Sequence, residues 1–304
     1  MSSESPLPAS VWRKLAAAHK EQITPLTTAF RERRARGQLH PVLDFLFTYY
    51  PHSPAKLEQW HPAIGERLLL DGEPLPSHFT QKHYFQSNDT ISLNPSVLRP
   101  KDRERYTFSH RLLNKTASRP PNFGCYGLHE WAMVYRSENT RHRERAPLRL
   151  PAQEIAQLVE SQTLACSHFD ATRFFTPAAT PLNRLSPTLE TREDLEQPGC
   201  IHANMDLYKW AFKAMPWIGS ELLLQTFFLA LELRELDMRA SPYDLSDYGY
   251  SAIPIETTAG RTEYATRQQQ LSEKAVPLRA EVLTALERLL AHCPSECPRE
   301  QDFS

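Results

Sequence analysis

Between Cys200 and Tyr250 an apolar, aromatic-rich helical pattern carries His202, Asn204, Asp206, Glu235, Asp237, Asp244 and Asp247. A carboxylate buried without a partner is costly, so such residues on the inner face of a helix require a counter-charge, a metal or a reaction. The stretch reads as the floor of an active site. Three other segments repeat the combination of imidazole and carboxylate among aromatics: His40 with Asp44, His129 with Glu130, and His168 with Asp170. The pairs His40/Asp44 and His202/Asp206 are four residues apart, which places both side chains on one face if both belong to a helix. That spacing suits a metal ion and equally suits a histidine–carboxylate hydrogen bond in a packed core. For one pair the core reading is the simpler; four in one chain favour a shared functional cavity.

The chemistry narrows by elimination. The chain has no Walker loop, no GxGxxG, no GxSxG elbow, no HExxH and no deaminase His-x-Glu with Pro-Cys-x-x-Cys. The paired Glu-x-x-His motifs of di-iron helical proteins are also missing. Nucleotide-driven phosphoryl transfer, nicotinamide chemistry and serine hydrolysis lose weight, and the carboxylates are what is left. In a dry aromatic pocket a carboxylate can stabilise an oxocarbenium ion or activate water, the two tasks of cleaving a bond at an anomeric carbon. The rings of Tyr126, Trp131, Tyr208 and Trp210 could stack on a flat base, and Asn204 or His129 could read its edge. Core packing is the competing use of each aromatic.

The elements that must position these groups are mostly helical. Apolar residues at Val11, Leu15, Ile23, Leu26 and Phe30 predict an amphipathic helix to Arg36, bent at Pro25 and stopped by Gly37. HPVLDFLFTYY, residues 40–50, predicts a buried helix with Asp44, Tyr49 and Tyr50 near the cavity or the core. Residues 51–100 break into a proline-rich irregular stretch with short strands at Glu66 to Leu70 and Thr90 to Leu93. Helices are expected over Lys101 to Lys115, Tyr126 to Arg136, Pro151 to Val159, Thr188 to Leu195, Asn204 to Met215 and Glu221 to Arg239. A last one, interrupted near Pro277, runs from Glu263 to His292. The fold class is mainly α: a single large helical domain with a few short strands. Its parts are an N-terminal helix (1–37), a catalytic core (38–262), a C-terminal helix packed on it (263–293) and a disordered tail (294–304).

The five cysteines are odd in number and form no CxxC pair, as expected of reduced thiols. No run of 18 apolar residues occurs and the start, MSSESPLPAS, lacks the basic and apolar regions of a leader, so a soluble cytoplasmic protein with no membrane partner is expected. A formal charge of -1 gives no global basic field. Two local clusters could still contact a phosphate backbone: Arg31, Arg33, Arg34 and Arg36, and Arg141, His142, Arg143 and Arg145.

HPVLDFLFTYY, FGCYGLHEWAMVYR, CSHFDATRFFTPAA, CIHANMDLYKWAFK and ELRELDMRASPYDL together resemble the defining blocks of a bacterial protein group commonly labelled 3-methyladenine DNA glycosylase. The blocks span His40 to Thr257. The resemblance implies an enzyme that flips a modified base out of DNA and hydrolyses its N-glycosidic bond. No catalytic residue carries over from the helix-hairpin-helix or uracil glycosylases, whose motifs are missing. The nominations therefore rest on chemistry: Asp206 first as the catalytic carboxylate, then Glu130 and Asp237, with His129 and His202 orienting water or the base. Asn204, Tyr126, Trp131, Tyr208 and Trp210 would hold the base, and Arg141, Arg143 and Arg145 the DNA backbone. The target is an alkylated purine or a bulky phage-type base, no cofactor is needed, and oligomeric state stays open. The alternative is a metal-dependent oxygenase or hydrolase with iron or another divalent ion on His168, Asp170, His202 and Asp206. A structural or regulatory binding module comes third, since it has little use for so many buried ionisable groups.

Overall fold

A computed structural model describes residues 5–137 and 146–293. Helix α1 (Ala9–Ala35) opens after Pro8 and buries Trp12, His19, Ile23, Thr27 and Phe30, a stripe at helical spacing. Pro25 lies inside it without ending it, and Gly37, at φ +68°, turns the chain away. Two short helices follow, α2 (Phe45–Tyr49) and α3 (Pro54–Leu57).

The helix expected over residues 40–50 is therefore only five residues long. His40 Nδ1 accepts from the backbone amides of Val42 and Leu43, at 3.1 and 3.0 Å, and Asp44 Oδ2 accepts from that of His40 at 2.8 Å. Such local side-chain bonds compete with the helical ladder and hold residues 40–44 as a turn. Asp44 also takes Arg33 of α1, so this first histidine–carboxylate pair ties the chain together and leaves the cavity to others.

The proline-rich stretch holds one small antiparallel sheet, β1 (Arg67–Leu69), β2 (Tyr84–Ser87) and β3 (Thr90–Leu93), in the order β1-β3-β2. Leu68 pairs with Ile91, and both point into the core. Asn88, at φ +48°, begins the two-residue turn between β2 and β3, a position that asparagine tolerates. The Trp12 indole donates to Leu69 O at 2.9 Å and pins the sheet to α1.

The centre is helical: α4 (Pro100–Ala117), α5 (Leu128–Ala132), α6 (Ala152–Ser161), α7 (Phe169–Thr172), α8 (Arg192–Leu195), α9 (Ile201–Lys213), α10 (Ser220–Arg239) and α11 (Thr258–His292). Helix α9 packs along α10, and α11 lies against α4, α9 and α10. Helix α11 starts five residues before its expected beginning and runs continuously through Pro277. Tyr126 and Gly127, at φ +48° and +74°, turn the backbone sharply into α5, which replaces the longer helix expected over residues 126–136. The helix expected from Thr188 shrinks to α8 because Thr188 and Thr191 bond each other's amides through their hydroxyls. One continuous hydrophobic core joins α1, the sheet and the central helices. The architecture is the expected mainly α one, and no helix among the described residues is long and apolar enough to cross a membrane.

Candidate functional site

Helix α9 turns His202, Met205 and Asp206 to one side, at the i, i+3, i+4 spacing of a single face. They meet Phe45, Thr48 and Tyr49 of α2, Glu130 of α5, Asp170 and Ala171 of α7, and Arg234 of α10 around a cavity of about 210 Å³. Four of the chemically distinctive sequence segments thus converge on one space.

Asp206 is the best-connected group in that space. The Tyr50 hydroxyl donates to its Oδ1 at 2.9 Å, and Lys209 donates to its Oδ2 at 2.8 Å. His168 Nε2 lies 3.4 Å from the same oxygen. Lys209 also donates to Asp170 at 2.7 Å, so one ammonium serves two carboxylates. Burial opposes ionisation of Asp206, but the Lys209 charge and the His168 contact outweigh it and hold the carboxyl far below its ordinary range. The reaction this permits is one that needs a permanently ionised carboxylate.

Glu130 is tuned the other way. Burial first, then the charge of Asp237, raise it above the ordinary carboxyl value against the pull of Arg234. Arg234 donates one nitrogen to both Glu130 and Asp237, at 3.0 and 3.1 Å, and its guanidinium carbon sits 3.8 Å from the centre of the Phe45 ring. Behind the wall, His129 Nε2 lies 2.8 Å from Asp237 Oδ1. Burial works against a charge on His129, yet Asp237 raises its pKa well above that of a free imidazole. His202, whose ring centre is 4.4 Å from that of His129, is pushed well below by burial and then by the His129 charge.

Asp206, Glu130 and His202 thus line the cavity as nominated, with His129 and Asp237 directly behind. The nominated base-holding residues do not. Asn204 faces the opposite side of α9, where it donates to Pro198 O at 2.9 Å and accepts from Arg279 of α11. Its hydrogen-bonding edge is spent on joining helices. Tyr208 is fully buried against Tyr50, Phe212 and Phe227. Trp131 is fully buried, donates to Ala240 O at 2.9 Å and carries Arg149 on its ring. Tyr126 sits in the turn before α5, half-buried against the core and away from the cavity lining. Trp210 lies one turn beyond Asp206, outside the cavity lining, among Arg192, Lys209 and Lys213. The rings that do line the cavity are Phe45, Tyr49, Tyr50, Phe174 and Tyr243, of which only Tyr49 and Tyr50 were foreseeable.

The remaining acidic residues of the central stretch are peripheral. Glu235 pairs with Arg239 at 3.2 Å, Asp244 accepts the Ser246 amide in a turn, and Asp247 is exposed. In the alternative metal set, both carboxylates are paired with Lys209, at 2.7 Å from Asp170 and 2.8 Å from Asp206. Arg141, Arg143 and Arg145 lie outside the described residues, as does the tail from 294. In the first basic cluster, Arg31 and Arg33 are paired with Glu58 and Asp44.

The cations were the part that sequence reasoning missed. Each betrays itself by position: Lys209 follows Asp206 by three residues and Arg234 precedes Asp237 by three, the one basic residue next to each buried carboxylate on its own helix. A larger groove of about 760 Å³ runs between α1, α10 and α11, but it gathers no such cluster. Comparison with protein-family models, with curated proteins and with solved structures gives no match.

Proposed function

We propose that this protein is a DNA glycosylase that removes a small modified base, with Asp206 and Glu130 dividing the work of breaking the N-glycosidic bond. The observation that carries this reading is that two carboxyl groups on one cavity are held apart in proton affinity, Asp206 lowered and Glu130 raised. Opposed tuning of two carboxyls marks a stabilising anion and a proton donor. Ionised Asp206 would face the positive charge that develops on the sugar as the bond stretches. Glu130 would pass a proton to the departing base, and water would then supply hydroxide to the anomeric carbon and a proton back to Glu130.

The size of the cavity favours a plain or methylated base over a glucosylated one. A cavity of about 150 Å³ accepts benzene, and about 300 Å³ marks the lower end for drug-sized ligands. At about 210 Å³ this space suits one fused ring system, with Tyr49 and Phe174 as its stacking surfaces.

A DNA strand has a basic groove at hand. One turn along α9 from Asp206, Lys101, Arg105, Arg192, Lys209 and Lys213, with the acidic Glu104 among them, surround Trp210 and Phe108 in an open groove of about 560 Å³. Burial, then the charge of Lys209, lower the pKa of Lys213. Lys209 belongs to both places: its stem lines the groove while its ammonium reaches Asp206 and Asp170. A phosphate in the groove and a base in the cavity would be separated by that one side chain, as a flipped nucleotide requires.

The test is the release of abasic sites. The purified protein would be incubated with duplex DNA carrying alkylated, deaminated or glucosylated hydroxymethylcytosine bases, followed by mild alkali. Strand breaks on alkylated DNA that vanish with Asp206→Asn are expected. No breaks on any substrate, or full activity in Asp206→Asn, would remove this reading.

A further inference from the structure

We infer that His129, His202 and Asp237 form a binding site for one divalent transition ion, directly behind the cavity wall. Each offers one ligand atom, and the three atoms lie within 4.8 Å of one another. They come from three helices, α5, α9 and α10, so the cluster is a product of the fold and not of one sequence motif.

Geometry separates this cluster from an ordinary ion pair. His129 Nε2 and Asp237 Oδ1 are 2.8 Å apart, yet they lack the alignment of a hydrogen bond, and neither has another hydrogen-bond partner among the described residues. His202 Nδ1 is buried and likewise has no hydrogen-bond partner among the described residues. Buried polar atoms are nearly always satisfied, and three such atoms gathered in one place require an explanation. Ligand atoms of one ion lie close together while aiming at a point between them, not at each other. Closing the set around a zinc-sized ion needs a shift of roughly 1 to 2 Å, given metal–ligand distances near 2.0–2.2 Å.

The surroundings fit. Cys125 Sγ lies 3.8 Å from the other ring nitrogen of His129, and Arg234 holds the other oxygen of Asp237 at 3.1 Å. Partners of this kind fix the tautomer and the orientation of metal ligands. Two imidazoles and one carboxylate suit zinc or ferrous iron and leave further coordination positions open. His202 lines the cavity as well, so the ion would sit one side chain away from whatever the cavity holds. The inference stands apart from the glycosylase reading, because the bound ion is measured without any substrate.

The test uses the full-length chain, stripped with a chelator and titrated with Zn²⁺ and, anaerobically, with Fe²⁺ against a competing chromophoric chelator. About one equivalent per chain is expected. His202→Ala and Asp237→Asn should each weaken binding more than about 100-fold, beyond the 10–100-fold effect of losing an outer partner. His168→Ala and Asp170→Asn should bind as the unmodified chain does. Co²⁺ in the unmodified chain gives a reading free of folding defects in the variants: visible bands of a nitrogen–oxygen site are expected, without a strong thiolate band in the near ultraviolet. Binding of much less than one equivalent, unchanged binding in both ligand variants, or a dominant thiolate band would overturn the inference.

Discussion

The ammonium of Lys209 lies 2.8 Å from the carboxylate of Asp206, one turn earlier on the same helix, with Asp206 buried and Lys209 largely so. Removing one partner of a buried pair strands the other, at about 3–5 kcal/mol. Lys209→Met should therefore lower the stability of the chain by that order in urea unfolding. Asp206→Asn should be far milder, since its amide oxygen can still accept from Tyr50 or Lys209, while the proposed glycosylase activity should fall about a hundred- to a thousandfold through loss of the anion. Equal stability losses in the two variants would show that the pair is purely structural.

Tyr208 provides the opposite case. Its hydroxyl is buried with no hydrogen-bond partner among the described residues, and its ring is held by Phe212 and Phe227. An unpaired buried hydroxyl is a liability of about 1–3 kcal/mol. Tyr208→Phe should leave activity unchanged and hold or raise the melting temperature. A large loss of base excision would restore Tyr208 to the base-holding role that its burial denies it.

These two residues show what the sequence made legible. The pattern of apolar and aromatic residues located α9 and α10 to within a few residues, and chemical rarity drew attention to Asp206, Glu130 and His202. A helix presents different residues to different neighbours, and the pattern alone does not say which face meets which. Asn204 and Asp206 are two residues apart, so they point to different sides of α9: one joins α11 through Arg279 and the other enters the cavity. Both look equally polar and equally misplaced in the sequence. The cluster of His129, His202 and Asp237 was nominated residue by residue, but its unity depends on how α5, α9 and α10 meet.

The basic groove yields a prediction about salt. Removing one phosphate-binding cation should reduce the slope of log affinity against log salt by about 1. Lys213→Ala and Lys101→Ala should each do so for duplex DNA of any sequence, measured by fluorescence anisotropy between low and moderate salt. Tyr208→Phe, buried in the core, should leave the slope alone. Unchanged slopes in both lysine variants would remove this groove from the proposed DNA contact.

Acid should weaken the fold through two histidines of the proline-rich stretch. Burial, then Lys56, lower His52 from the ordinary 6.5 to about 4. Burial, then His78, lower His61 to about 3. Both are neutral in the folded chain at pH 5, whereas the unfolded chain has taken up their protons. Because the unfolded state binds more protons, stability falls as pH drops below about 6.5, by roughly 1.4 kcal/mol per unit for each histidine until its folded pKa is reached. His52 stacks on Phe212 at 5.0 Å, so His52→Phe keeps the shape of the site and removes one titrating group. Urea unfolding at pH 7.5, 6 and 5 should show a shallower fall for this variant than for the unmodified chain. Parallel curves would mean that His52 stays accessible to protons in the folded state, against the burial that its contacts with Tyr208 and Phe212 impose.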